Sequence, residues 1–319
     1  MLSGVTCMHS SDQTLQHRPA DPFRKRRVMI DRWMRLAFLG VATASVVTLA
    51  MICLFLFREG LPIFHETSMR DFLFGRLWYP TSTPPEFGIF SLIVGSVAVT
   101  ALSGLISIPL GIMTAVYLAE IASPRLREIV KPVLELLAAL PSVVIGFFGM
   151  VVVAPVLQDT FDIPTGLNLF NAALMLAFMS VPTICSLSED AIYSVPNSLK
   201  EASFALGANH LETICRVIVP AALSGICTAV ILGMSRAIGE TMVVLMVAGG
   251  AAMSPESIFS PVRPMPASIA AEMDEAPFRS AHYHALFATG IVLFVFTFLF
   301  NLAADIVSHR YRRTGEATL

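Results

Sequence analysis

Charge is scarce in this chain. Only 14% of its 319 residues are Asp, Glu, Lys or Arg, while 55% are hydrophobic and the mean hydropathy is +0.73. Soluble domains carry about 25% charged residues, so a freely soluble globular fold is excluded and lipid is the expected solvent. The formal net charge of -2 is spread unevenly. The basic residues gather in particular loops and not on one face that could hold nucleic acid, so no nucleic-acid partner is expected. Cysteine is equally sparse: Cys7, Cys53, Cys185, Cys215 and Cys227 are odd in number and never spaced Cys-x-x-Cys. Neither a disulfide framework nor a zinc site is suggested, and all five are read as free thiols. Lysine occurs only at Lys25, Lys131 and Lys200, followed by Arg26, Pro132 and Glu201. A P-loop lysine is followed by Ser or Thr, so the chain has no ATPase site and is not expected to be an enzyme or to bind a cofactor. No metal site is expected; the nearest approach to one, His282 and His284, reads as a surface pair. The first thirty residues lack an apolar core followed by a small-residue cleavage site, so a cleaved leader is not expected.

What the chain does have is long apolar runs. A bilayer core about 30 Å thick takes roughly 20 residues of helix, and six segments meet that length. They are 34–57, 88–118, 129–157, 168–187, 217–249 and 284–307. The runs are continuously apolar, without the alternation of barrel strands, so the expected fold class is all-α, a polytopic membrane protein with six transmembrane helices.

Basic residues in short loops are retained on the cytoplasmic side. With the N-terminus inside, the inner segments hold Arg18, Arg24, Lys25, Arg26, Arg27, Arg32 and Arg35, then Arg125, Arg127 and Lys131, then Lys200 and Arg216, then Arg310, Arg312 and Arg313. The outer loops hold only Arg58, Arg70, Arg76, Arg263 and Arg279. Both termini are therefore expected in the cytoplasm. The outer loop 58–87 is rich in aromatics and proline, including Phe72, Trp78, Tyr79 and Pro80, as an interfacial belt or a docking surface would be. In the last outer loop, 250–283, Ala267 to Glu275 forms an amphipathic stretch.

Between the fourth and fifth spans lies a polar segment, 188–216, too long for a simple connection. Leu199, Ala202, Ala205 and Leu206 recur at helical spacing, and Leu211, Ile214 and Val217 or Ile218 continue a second face beyond Gly207. Glycine readily takes the left-handed conformation that stops a helix, so the segment reads as helix, turn, helix on the membrane surface, with Pro220 opening the fifth span. By periodicity alone this is an interfacial hairpin.

The residues add more. Glu201, Ala202 and Ser203, then Gly207, then Val217, Val219 and Pro220 resemble the EAA loop of ABC importer permeases: Glu-Ala-Ala, three residues, Gly, nine residues, Ile, one residue, Leu-Pro. Ser203, Val217 and Val219 depart from that pattern with small or apolar replacements. The resemblance implies a type I, MetI-like permease core over 88–307, following a tail at 1–33, a first helix at 34–57 and the outer loop, and ending at a tail from 308 to 319. It also implies that the hairpin is a coupling helix seated on a cytoplasmic ATPase.

The fifth span contains Arg236, Glu240 and Thr241 within an apolar run. A charge inside a span should face protein or water. Four residues apart on a continuous helix, Arg236 and Glu240 would share a face and could pair, either as a structural ion pair or with Arg236 binding an oxyanion that Glu240 replaces when substrate is absent. Glu135 is read as an interfacial or packing residue near the inner end of the third span.

Gly239-Glu240-Thr241-Met242 after Arg236 is similar to phosphate-importer permeases of the PstC type, as are Leu136 to Val144, Gly290 to Val295 and Phe72 to Trp78. The likeness runs from about residue 33 to residue 308, with a shorter connection over Leu157 to Asn168. It implies a heterodimer with a PstA-like permease, a PstB-like ATPase dimer that uses ATP and Mg, and a PstS-like periplasmic phosphate-binding protein, in a bacterial inner membrane. Another oxyanion as cargo, or a secondary transporter using Arg236 and Glu240 as a proton-linked pair, are the competing readings.

Overall fold

A computed structural model describes the backbone of residues 22–316 and the side chains of 30–306. Cys7, Arg18 and the rest of the expected tail before Pro22 lie outside the described residues, as do the side chains of Arg24 to Arg27, Arg310, Arg312 and Arg313. Two compact units divide between Phe55 and Leu56. In the first, helix α1 (Pro22–Gly60) carries exposed apolar side chains such as Phe38, Val41 and Leu54. A helix that is apolar all round belongs in lipid.

The second unit continues through a short helix, α2 (Met69–Phe74), and a ribbon of β1 (Trp78–Tyr79) and β2 (Glu86–Phe87), in which Trp78 faces Phe87 and Tyr79 faces Glu86. Helices α3 (Phe90–Val116) and α7 (Leu169–Tyr193) form the centre, with α10 (Val219–Ile238) packed on α7. Their contact depends on small residues. Ser103, Ser107 and Gly111 recur every fourth position on the buried face of α3. Ile184 of α7 is wedged between two helices: a Cβ on Gly111 of α3 would lie 2.7 Å from it, and one on Gly233 of α10 would lie 2.5 Å from it. Only glycine permits this approach at either position.

Among the described residues six helices are long and apolar enough to cross a membrane: Ile30–His65, Phe90–Ile121, Ser142–Phe161, Leu169–Tyr193, His210–Ile238 and Ala281–Ile306. The count matches the sequence expectation, and two of the expected runs are broken. The third run divides. Helix α4 (Pro124–Ala138), amphipathic and opened by the Ser123 cap on the Leu126 N–H, is separate from α5 (Ser142–Phe148), because Pro141 adopts an extended ψ of 134° and cannot continue a helix. Glu135 therefore lies on α4, exposed and outside the spans.

The fifth run divides as well. Helix α10 stops at Ile238, and α11 (Met242–Val247) starts after the break Gly239–Thr241. At its other end this span begins at α9 (His210–Thr213), so Pro220 sits inside a continuous helix and does not open it. A π-turn at Ile214–Ile218 precedes Pro220, and another at Gly149–Val153 precedes Pro155 at the start of α6 (Ala154–Phe161). Each proline lacks the N–H that an α-turn needs, and widening the preceding turn relieves the clash with the carbonyl four residues back.

The remaining elements are α8 (Asn197–Ala205), α12 (Met265–Glu272), which overlaps the expected amphipathic stretch Ala267 to Glu275, and α13 (Ala281–Glu316). Three buried clusters hold the unit together: one at the ribbon around Phe72, Trp78 and Leu286, one around Met175 and Val243, and one near the α8–α9 hairpin around Leu118, Ile192 and Ile218. Cys53, Cys185, Cys215 and Cys227 are free thiols.

Candidate functional site

The α8–α9 hairpin is built as its sequence suggests. Helix α8 ends in a paired carbonyl lock: Ala208 N–H reaches Ser203 O at 3.2 Å and Gly207 N–H reaches Phe204 O at 3.0 Å. This is a Schellman stop, and Gly207 supplies the positive φ, +85°, that it requires. Helix α9 opens with a capping box, in which Asn209 Oδ1 accepts from Glu212 N at 2.8 Å and Glu212 Oε2 accepts from Asn209 N at 3.0 Å. The departure at Ser203 has a structural purpose. Its side chain is buried and lies 2.9 Å from Thr213 Oγ1, tying the two helices together.

Glu201, Ala202 and Pro220 are exposed, and so are Phe204, Leu206 and Leu211. Leu206, at the tip of the turn, is 90% exposed. A recess of about 340 Å³ opens beside it, lined in part by Leu199, Ala202, Ser203 and Arg216. Single apolar side chains at a surface are ordinary, but a leucine projected by a rigid turn beside a recess suits insertion into a partner.

Two clusters that sequence reading missed fasten this end of the bundle. Lys200 Nζ pairs with Glu120 Oε1 at 2.6 Å, joining α8 to the turn that ends the α3 span, and His210 Nε2 lies 3.3 Å from Glu120 O. Arg127 Nε pairs with Glu189 Oε1 at 2.7 Å, while Lys131 Nζ lies 3.5 Å from Glu189 Oε2 and 3.1 Å from Asp190 Oδ1. Glu189 is 1% exposed, so α4 is held to α7 by a buried carboxylate with two cations. Burial opposes the Lys131 ammonium, but the Asp190 hydrogen bond and the charges of Glu189 and Asp190 outweigh it and raise its pKa above the ordinary lysine value.

The Arg236–Glu240 pair does not form: no ion pair joins the two among the described residues. The helix break separates them. Arg236 occupies the last turn of α10, where the helix dipole favours a cation, and its side chain is exposed. Glu240 lies in the break and turns toward α11, its Oε1 3.4 Å from Val243 N, while Thr241 Oγ1 reaches Gly239 O at 3.2 Å. The two side chains are thus available to different partners.

At the ribbon end, Glu272 closes α12 and collects donors from three segments. Trp78 Nε1 reaches its two oxygens at 3.0 and 2.9 Å, His282 Nε2 lies 2.8 Å away and Arg263 Nη1 2.5 Å away. Arg263 Nε also bonds Gly250 O at 2.7 Å. A recess of about 480 Å³ opens beside this junction. His282 is not a surface residue, being 8% exposed, and His284 turns away from it to place Nδ1 2.6 Å from Glu59 O.

Residues 107–313 match the family model of binding-protein-dependent transport system inner membrane components. The chain is 38% identical over 289 residues to a probable ABC transporter permease protein, YqgH, of Bacillus subtilis, covering 90% of this chain and 94% of the relative. It is 36% identical over 265 residues to the phosphate transport system permease protein PstC of Mesorhizobium japonicum, covering 77% and 80%. Among solved structures, a chain of a bacterial ABC transporter involved in the import of alginate aligns at a TM-score of 0.59 with 16% identity, covering 90% of this chain and 99% of that one. A MetNI methionine transporter chain aligns at 0.54 with 20% identity, covering 68% and 93%. The chain belongs to the family of binding-protein-dependent transport system inner membrane components, as a PstC-type ABC importer permease subunit without an ATPase site of its own.

Proposed function

We propose that this subunit conducts inorganic phosphate across a bacterial inner membrane, both termini in the cytoplasm, by alternating access driven by a separate ATPase. The observation that carries the reading is Arg236: an exposed guanidinium ending a membrane-spanning helix, released from Glu240 by the break at Gly239–Thr241. A planar cation offers bidentate, charge-assisted hydrogen bonds to an oxyanion. The PstC relatives, named as phosphate transport permeases, support phosphate over molybdate, sulfate or phosphonate.

The partners of this reading are a PstA-like permease, a PstB-like ATPase dimer that binds ATP and Mg, and a PstS-like periplasmic binding protein. Leu206 and its recess would seat on the ATPase, so that closure of the ATPase dimer pulls the hairpin. Glu120 and Glu189 would pass that movement to the spans. The test is uptake into vesicles holding the assembled complex and the binding protein. ATP-dependent accumulation of phosphate that excess sulfate and molybdate fail to suppress supports the reading. Uptake that persists without the ATPase subunit rejects it.

A further inference from the structure

The last span carries a ridge of polar residues, Thr297, Asn301 and Asp305, at four-residue spacing on one side of an otherwise apolar helix. Polar side chains inside a span face protein or a water-filled path, so this ridge does not belong against lipid tails. Thr297 satisfies itself by donating to Leu293 O at 2.6 Å. Asn301 instead reaches across to α10, where its Oδ1 lies within hydrogen-bond distance of Ser235 Oγ, the residue immediately before Arg236.

That contact sets the amide's orientation. The Ser235 hydroxyl has one proton and two acceptors in reach, Asn301 Oδ1 and Ile231 O at 2.7 Å. Ile231 O already receives the helical N–H of Ser235, so it loses nothing if the hydroxyl proton goes to the amide. With Oδ1 turned to Ser235, Nδ2 is left to donate elsewhere. No acceptor for it appears among the described residues, and the Asn301 side chain is exposed, as is Arg236.

We propose that Asn301 is a second oxyanion ligand on the transport path, its Nδ2 donating to the anion held by Arg236, with Ser235 acting as the positioning residue that orients the amide. This rests on the phosphate reading of Arg236. A cation alone fixes charge; a neutral donor from a second helix also fixes position, and it makes the site depend on how α10 and α13 lie against each other.

The experiment measures initial rates of ATP-dependent phosphate uptake against phosphate concentration, in proteoliposomes holding the whole complex and normalised to assembled complex. Asn301→Ala is expected to raise KM roughly tenfold with a smaller change in kcat, because one hydrogen bond to a charged ligand is removed. Ser235→Ala should raise KM about threefold, since the amide remains but loses its orientation. Asn301→Asp, which adds a like charge, should be the worst of the three. Should Asn301→Ala assemble poorly, Ser235→Ala carries the test. An unchanged KM in both alanine variants, alongside impaired uptake by Arg236→Gln, overturns the inference and leaves the phosphate reading standing. Normal uptake by Arg236→Gln overturns both.

Discussion

Ser203 Oγ lies 2.9 Å from Thr213 Oγ1, a buried pair that closes the α8–α9 hairpin across its turn. Ser203→Ala strands the Thr213 hydroxyl only in part, because Thr213 Oγ1 also donates to Asn209 O at 3.0 Å. The expected cost is about 1 kcal/mol. A double-mutant cycle with Thr213→Val, read by thermal unfolding of the purified subunit, should give a coupling of about that size. Additive single effects would mean the pair contributes nothing.

Gly207 has open space where a Cβ would stand, so its substitution is resisted by backbone conformation alone. Gly207→Asn, which tolerates a positive φ, should transport close to normally. Gly207→Val should cost about 1–2 kcal/mol locally and displace Leu206, and under the proposed coupling role it should leave ATP hydrolysis that moves less phosphate per turnover. The ratio of phosphate accumulated to ATP consumed reads this directly.

Glu189 depends on Arg127 and Lys131 for its burial. Arg127→Gln leaves a carboxylate with one distant cation and should destabilise the subunit by about 2 kcal/mol. Adding Glu189→Gln, which removes the buried charge, should restore part of that loss in the same unfolding assay. As the folded pKa of Lys131 is raised, its share of the stabilisation is complete below the ordinary lysine value and is lost as pH rises through the higher folded value. Stability near neutral pH should therefore show no dependence on this lysine's titration.

Glu272 fixes the indole of Trp78, which is buried to 2% exposure. Trp33 is the chain's only other tryptophan. In a Trp33→Phe background, Glu272→Ala should loosen the ribbon and shift Trp78 emission to the red, whereas an unmoved spectrum would show that the ribbon is held without Glu272.

Much of this was legible in the residues. Long apolar runs announced six spans, and the hairpin was readable because Gly207 and the flanking periodicity are local signals. The two broken runs were misread because hydropathy does not register a stop: Leu140 and Pro141, or Gly239 to Thr241, interrupt the helix without interrupting the apolar average. Pro141 was a visible stop signal, whereas Thr241 makes no side-chain cap on α11 and Glu240 faces its first turn instead. The Glu272 junction was illegible for another reason. Trp78 and Glu272 are 194 residues apart, and no periodicity pairs them. Ser203 and the Arg236–Glu240 spacing show the two directions of error: one read as a neutral replacement holds the hairpin closed, and the other read as a helical pair is separated by a break.

The most direct test of the account is phosphate uptake by Arg236→Gln and Arg236→Lys subunits that assemble with their partners and retain ATP hydrolysis. Loss of uptake in the glutamine variant, with partial recovery in the lysine variant, is the result expected if the guanidinium binds the anion. Wild-type uptake by an assembled Arg236→Gln complex would contradict it.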